Sequence, residues 1–190
     1  HHAIESYHKE LTINPQSSTS QVSLGLLLLQ LGKAAAAIEP LSRAASIKPS
    51  EQCWLLLAQA YQNTGKLKEA IIEYQKLDLS KTKNKIIPFN LGLCLLNTGS
   101  NIDAIEAFKL AIKMDESFIP AWGNIGKALN NEGRHHEALA ATQKSLNLDP
   151  NNPNSLTNLG GIYKDLGNLE QALTSTLKSL ELNPDNPTAH

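Results

Sequence analysis

Three asparagines recur in the second half of the chain at a fixed interval of 34 residues: Asn90, Asn124 and Asn158. A carboxamide carries one acceptor oxygen and one donor nitrogen, so it can pair with a backbone peptide group whatever side chain stands beside it. Each such hydrogen bond contributes about 0.5–1.5 kcal/mol net, and three contribute roughly 1.5–4.5 kcal/mol. The interval therefore places three hydrogen-bonding carboxamides at equivalent positions, and these bonds alone would hold a ligand only weakly.

No pattern for catalysis or metal binding accompanies the asparagines. The chain lacks GxGxxG, GxxxxGK[ST], HExxH and GxSxG. His135 and His136 are adjacent in a predicted turn, whereas ligands on a helix prefer i, i+4 spacing, so we expect both to be exposed to solvent. Cys94 falls on a packed helix face, which predicts a buried structural thiol. We predict no enzyme activity, no cofactor and no metal for this chain.

Composition favours closely packed helices. Of the 190 residues 41% are hydrophobic and only 5% are aromatic, with Leu and Ala dominating. The formal net charge of −1 gives no overall field for nucleic acid or an anionic membrane, and the longest apolar run is far too short to span a bilayer. Cys53 and Cys94 lack CxxC spacing and suit a reducing compartment, so we predict a cytoplasmic location.

The 34-residue interval extends over nearly the whole chain as an internal repeat. The clearest copy reads as two amphipathic helices around the turn Leu166-Gly167-Asn168. A helical hairpin of this length cannot bury its apolar face alone, so each copy must stack on a neighbour within one domain. We place complete repeats at residues 18–50, 51–84, 85–118, 119–152 and 153–186, after a partial one at 1–17 and before another at 187–190.

The repeat resembles the tetratricopeptide repeat (TPR). Its motif has a large residue near the start, Leu-Gly or Leu-Ala, an alanine in the second helix and a closing proline, as in Trp122, Ile125-Gly126, Ala138 and Pro150. The resemblance implies an all-α fold, an α-solenoid (right-handed superhelix) of stacked antiparallel helix pairs. Both ends look cut from a longer, bacterial-type array, and His1-His2 are either native or a tag remnant. Uncapped ends of this kind predict end-to-end self-association.

Three positions depart from the motif. Pro40 lies inside a second helix and should kink or shorten it. The repeat at 51–84 has no closing proline, which predicts a longer or looser basic link to the next repeat. Pro88 stands where a large residue is expected, and Phe89 beside it is a candidate substitute.

In the TPR family the first helix of each repeat lines a concave groove, and O-GlcNAc transferase arrays have a similar asparagine ladder that holds a peptide backbone. The resemblance therefore implies a peptide-binding groove in this chain. Its expected residues are Asn90, Asn124, Asn158, Val22, Leu26, Leu29, Leu55, Gln59, Phe89, Leu93, Leu96, Lys127, Asn131 and Lys164. The carboxylate clamp of chaperone-binding TPRs, a Lys followed by an Asn, is absent from the corresponding positions.

These observations favour a non-enzymatic module that binds a protein or peptide segment in the groove, without nucleic acid or membrane partners. One alternative is the non-catalytic, substrate-presenting region of a larger enzyme such as a glycosyltransferase, sulfotransferase or oxygenase. Another is a structural rod that assembles through its ends. It also stays open whether the asparagines only brace helix packing, and whether the apolar groove residues contact a neighbouring helix of the intact protein.

Overall fold

The structure, a computed structural model, describes residues 2–185, and these fall into two compact units that divide between Lys81 and Thr82. The described residues form eleven α-helices and no strands. The first unit contains α1 (His2–Ile13), α2 (Ser18–Gln30), α3 (Ala34–Ile47), α4 (Glu51–Asn63) and α5 (Leu67–Gln75). The second contains α6 (Ile86–Asn97), α7 (Asn101–Met114), α8 (Ile119–Asn131), α9 (His135–Leu148), α10 (Pro153–Asp165) and α11 (Leu169–Leu182).

Within each unit the helices pack as successive pairs. In the first unit α2 packs on α3 and α4 on α5, and α3 also contacts α4. In the second unit the pairs are α6 with α7, α8 with α9 and α10 with α11, and α8 contacts both α6 and α10. The helices α6, α8 and α10, which carry the three asparagines, therefore form one row. The all-α, helical-repeat fold predicted from the sequence is confirmed.

The same three-residue turn joins the two helices of every pair. Its middle residue is always a glycine with positive φ, for example 72° at Gly133 and 81° at Gly167. After α8, the backbone N–H of Arg134 donates to the Leu129 carbonyl at 3.0 Å and thereby satisfies one of the last carbonyls of the helix. Only glycine adopts this backbone conformation without strain, so its recurrence sets the length of each first helix.

Small residues at the contact line let the paired helices approach closely. Ala37, Ala58 and Ala104 are fully buried, and Gly92 lies directly against the ring of Phe108. A hydroxyl pair contributes to the second unit, where Ser145 and Ser155 are hydrogen bonded at 2.6 Å in the interior. These contacts explain why the chain builds its core from Ala, Leu and Gly with few aromatic residues.

Of two expected irregularities, one is wrong in part and the other is confirmed. Pro40 was expected to kink or shorten its helix, and the shortening is wrong, because α3 runs without interruption from Ala34 to Ile47 and Pro40 is buried within it. A kink at Pro40 stays a prediction. The link after the second complete repeat is longer than the others, as predicted, since ten residues from Lys76 to Lys85 lie between α5 and α6. Helix α5 is also the shortest of the described helices, with nine residues.

The described helices were not expected to cross a membrane, given the short apolar runs of the sequence. None of them combines the length and the apolar character that a bilayer span requires.

Candidate functional site

A polar pocket of about 190 Å³ lies between α8 and α10 in the second unit. It brings together three residues predicted from the sequence, namely Asn124, Lys127 and Asn158. The other lining residues were not predicted as site residues: Pro120, Gly123, Asn152, Asn154, Ser155 and Thr157. Because carboxamides and hydroxyls dominate the lining, the pocket suits a ligand rich in hydrogen-bonding groups.

Hydrogen bonds fix the two asparagine side chains of the pocket. The Asn124 Nδ2 donates to the Pro120 carbonyl, one turn earlier in α8, at 2.8 Å. The Asn158 Nδ2 donates across the helix contact to the Gly123 carbonyl at 2.9 Å. Asn158 therefore braces α10 against α8, which is one of the two roles that the sequence left open for it. Both side chains are held in place before any ligand arrives.

The carboxamide oxygens of these two residues remain available. Among the described residues no donor reaches the Oδ1 of Asn124 or of Asn158, so each can accept a hydrogen bond. Lys127 is exposed at the pocket and carries a positive charge. The pocket thus presents two fixed acceptors and one cation, a set that suits backbone N–H groups together with a carbonyl or carboxylate oxygen.

Asn90 lies one helix earlier in the same row, half-buried in α6. Its carboxamide makes no hydrogen bond within the part of the chain that the structure describes. Since α8 contacts α6 as well as α10, the three asparagines occupy equivalent places on three adjacent helices. Peptide binding by this ladder remains a prediction.

The apolar residues predicted in the second unit contribute mainly to packing. The ring of Phe89 lies 5.6 Å from that of Phe108 and 5.0 Å from that of Phe118, measured between centroids. Leu93 is half-buried, and Leu96, with 7% of its surface exposed, belongs to the core and offers almost no surface to a ligand.

The remaining predicted polar residues of this unit lie outside the pocket. Asn131 is exposed at the end of α8, where its Nδ2 donates to the Asn101 Oδ1 at 3.2 Å. Lys164 is exposed near the end of α10. These two side chains are therefore separate from the group formed by Asn124, Lys127 and Asn158.

In the first unit the predicted residues divide between core and surface. Val22 and Leu29 are partly buried against the core cluster formed by α2, α3 and α4. Leu26 is exposed at 37%, while Leu55 and Gln59 are half-buried. The exposed side chain of Leu26 is thus the most accessible apolar member of this set.

The histidine pair was placed wrongly by the sequence analysis. His135 and His136 do not lie in the turn but form the first residues of α9. The His135 ring nitrogen Nδ1 is 2.8 Å from the Oδ1 of Asn130, so the ring packs against the end of α8. No group of three or more His, Cys, Asp or Glu residues in the described range could hold a metal ion.

Six titratable groups among the described residues have a shifted pKa, and none of them lines the pocket: Asp78, Lys81, Cys94, Asp115, Arg134 and Glu137. Two of them lie in the second unit near the predicted residues of α6. Burial raises the pKa of the Cys94 thiol to about 11, which disfavours the reactive thiolate. Hydrogen bonds from Lys85 and Ser117 lower the pKa of the Asp115 carboxyl to about 2. Neither shift prepares a nucleophile or an acid–base group at the polar pocket.

Gly123 is one of the pocket residues that were not predicted from the sequence. A Cβ at this position would lie 3.0 Å from the Ser155 Oγ and 4.0 Å from the Asn158 Nδ2. Because Gly123 has no side chain, the Asn158 Nδ2 can reach the Gly123 carbonyl, and the space beside the Ser155 hydroxyl stays open. A glycine inside a helix and away from the repeat turn was the available signal, since such a residue lowers helix propensity and needs a local reason.

Models of known protein families match most of the chain. A model described as anaphase-promoting complex, cyclosome, subunit 3 matches residues 2–77. Models described as tetratricopeptide repeat match residues 89–118, 119–152 and 141–174. These matches include α8 and α10, the two helices of the polar pocket.

Individual proteins resemble the chain at low identity. BBSome complex member BBS4 from Bos taurus is 28% identical over 110 residues, which cover 57% of this chain but only 21% of that protein. The chain thus spans about a fifth of the length of this curated relative. The structure of YrrB, described as a TPR protein with an unusual peptide-binding site, has a TM-score of 0.79 at 22% identity, covering 98% of this chain and 96% of that one.

A second solved structure, MamA from Desulfovibrio magneticus RS-1, has a TM-score of 0.78 at 18% identity over 90% of this chain and 97% of that one. At such identities the likeness concerns the fold. The similarity to O-GlcNAc transferase arrays stays a prediction. The repeated helix pairs, the glycine turns and the matching family models together establish that the chain is a repeat array of the tetratricopeptide-repeat family.

Proposed function

We propose that this chain is a protein-interaction module that binds an extended segment of a partner at the polar pocket between α8 and α10. One observation carries the proposal: the carboxamides of Asn124 and Asn158 are held through their nitrogens, which leaves both oxygens as fixed, unpaired acceptors. An extended peptide presents backbone N–H groups at regular intervals and can satisfy such acceptors whatever its sequence. TPR proteins bind proteins or peptides, and YrrB is described as having a peptide-binding site.

Lys127 favours one orientation of the bound segment in the pocket. Its ammonium suits a carboxylate side chain or a backbone carbonyl of the bound segment, next to the N–H groups that the asparagines accept. Because the hydrogen bonds alone contribute little, additional side-chain contacts along α6 and α10 are needed for useful affinity. If the chain is instead the substrate-presenting region of a larger enzyme, it would bind the substrate protein at the same pocket. The two alternatives therefore differ in what the parent protein does, and the chemistry of the pocket is the same in both.

The test begins with a displayed library of unstructured peptides selected on the full chain. Calorimetry then compares the affinity of a selected peptide for the wild type, for Asn124→Ala and for Asn63→Ala, a control at an exposed asparagine outside the pocket. We expect Asn124→Ala to weaken binding by roughly 2- to 12-fold, the value of one net hydrogen bond. The combined change of Asn90, Asn124 and Asn158 to alanine should abolish detectable binding while helicity stays nearly unchanged.

Backbone recognition is tested separately by N-methylation of the selected peptide at each position in turn. Methylation of the N–H that Asn124 accepts should weaken binding to the wild type but change nothing further in Asn124→Ala. Failure to select any peptide, or equal binding by the wild type and the triple variant, would contradict the proposal. A fall in thermal stability without a fall in affinity would show that the asparagines act only as braces.

A further inference from the structure

The first unit carries a second depression, separate from the polar pocket of the second unit, with a volume of about 430 Å³. We call it the Trp54 depression. Helices α3, α4 and α5 and their adjoining turns form it, and its lining residues are Ser42, Ala45, Ser46, Pro49, Trp54, Leu57, Tyr61, Glu73 and Lys76. Two aromatic rings and one carboxylate thus meet in a single concavity.

Glu73 is the unusual member of this lining. Only 8% of the residue is exposed, and one carboxylate oxygen, Oε1, accepts a hydrogen bond from the Lys76 ammonium at 2.6 Å. The other oxygen, Oε2, is buried and has no hydrogen-bond partner in the part of the chain that the structure describes. A buried, unsatisfied carboxylate oxygen is unfavourable, so a donor that reaches it would be bound with a gain in free energy.

A later repeat shows the arrangement when alanine stands at the place of Glu73, in a depression that Glu116 also lines. Two repeat lengths further on, Trp122 corresponds to Trp54, Lys144 to Lys76 and Ala141 to Glu73. There the Lys144 ammonium lies 4.4 Å from the centroid of the Trp122 ring, a cation–π contact. In the first unit Glu73 holds the corresponding lysine instead, and no described cation lies over the Trp54 ring.

We propose that the Trp54 depression binds a lysine or arginine side chain presented by a partner protein. In this arrangement the cation lies against the rings of Trp54 and Tyr61, as the chain's own lysine does on Trp122, and donates to the Glu73 carboxylate. Lys76 competes for the same carboxylate. Because 42% of the Lys76 side chain is exposed, its ammonium can swing into solvent when the partner's cation takes its place, while the carboxylate rotates about its soft terminal torsion.

Other ligand classes fit this depression less well. An anion would meet the carboxylate, and an apolar side chain would leave Oε2 buried without a donor. A quaternary ammonium could contact the rings but has no N–H to offer. The combination of aromatic surface and an unsatisfied acceptor therefore selects a cation that carries N–H groups.

The two tryptophans of the chain provide the assay. In the full chain labelled with ¹⁵N, the indole N–H resonances are assigned with Trp54→Phe and Trp122→Phe. Acetyl-Gly-Arg-Gly-amide and its lysine analogue should shift the Trp54 resonance saturably and leave that of Trp122 in place. The citrulline peptide, neutral and nearly isosteric with the arginine peptide, should bind at least about tenfold more weakly.

Variants on α5 and its C-terminal cap give effects of opposite sign. Glu73→Gln should lower the affinity for the arginine peptide at least about tenfold. Lys76→Gln should raise this affinity roughly 2- to 5-fold, because it removes the competing ammonium. Glu69→Gln and Lys68→Gln make the same charge changes at exposed positions of α5 and should leave affinity unchanged. If Glu73→Gln does not fold, two other measurements test the inference. They are the difference in affinity between the arginine and citrulline peptides and the gain in affinity of Lys76→Gln for the arginine peptide.

Several results would overturn the inference. A Trp54 resonance that does not respond to either cationic peptide, or responds equally to citrulline, would show that no cation site exists. Equal effects of Glu73→Gln and Glu69→Gln would show that only the general charge of the unit matters. None of these outcomes depends on Asn124 or on peptide binding at the polar pocket.

Discussion

The packing of α6 on α7 predicts that Gly92→Ala does not stabilise the protein, and can destabilise it, although alanine is the better helix former. A Cβ added at Gly92 would lie 2.5 Å from Cε1 and 2.6 Å from Cδ1 of Phe108. Phe108 is fully buried, and its ring already contacts that of Phe89. The ring therefore cannot rotate into solvent, and either the ring or a helix has to move.

Gly161→Ala is the matched comparison. Gly161 also lies in the interior of a helix, α10, but a Cβ there would meet nothing within 4 Å. Both substitutions gain about 0.8–1 kcal/mol in helix propensity. Only Gly92→Ala pays the overpacking term of about 1–3 kcal/mol. The difference between the two variants therefore isolates the close helix contact.

Thermal unfolding monitored by circular dichroism measures this difference. We expect Gly161→Ala to raise Tm slightly and Gly92→Ala to lower it or leave it level, with a gap of roughly 2–12 °C between them. Phe108→Leu replaces the ring by a smaller side chain and makes room for the new Cβ. Gly92→Ala should therefore lower Tm less in the Phe108→Leu background than in the wild type. If Gly92→Ala raised Tm as much as Gly161→Ala, the helices would not need the close approach that the structure shows.

Three further outcomes follow from single residues. Gly133→Ala forces a side chain into the left-handed turn, where φ is 72°, and should cost about 1–2 kcal/mol by chemical denaturation, with Gly161→Ala as control. Cys94, whose pKa burial raises to about 11, should resist iodoacetamide in the native protein near neutral pH and react once denaturant unfolds the chain, as mass spectrometry would show. Lys85 and Ser117 lower the pKa of Asp115 from 3.8 to about 2, so the wild type should lose stability as the pH falls from about 4 towards 2. Over that pH range the Tm of Asp115→Asn should fall less than the Tm of the wild type. An equal fall in both proteins would contradict the ion pair between Lys85 and Asp115.

The repeat turns could be predicted because a single residue type determines them. Gly99, Gly133 and Gly167 appear in the sequence at the repeat interval, and each has positive φ in the structure. The backbone conformation restricts the choice of residue so strongly that the sequence reveals it. The same reasoning gives the helix pairs, since each turn separates two amphipathic segments.

Side-chain partners could not be predicted in the same way. The sequence places Asn124 and Asn158 at equivalent positions, yet one amide bonds within its own helix and the other crosses to α8. Pro40 illustrates the same limit, since a proline that should disturb an isolated helix is itself buried within a continuous α3. Such outcomes depend on the distance between packed helices, which repeat periodicity alone does not contain.

Specific chemistry in this chain arises where one repeat departs from its neighbours within a common backbone. Trp54 and Trp122 hold the same place in two repeats, but Lys76 pairs with the Glu73 carboxylate in one, whereas Lys144 covers the indole in the other, where Ala141 stands in place of the glutamate. The substitution Ala141→Glu should therefore draw Lys144 away from Trp122 and make the Trp122 indole resonance sensitive to the arginine peptide. An unchanged Trp122 response in a folded Ala141→Glu protein would show that the surrounding helices, and not this single position, determine the cation site.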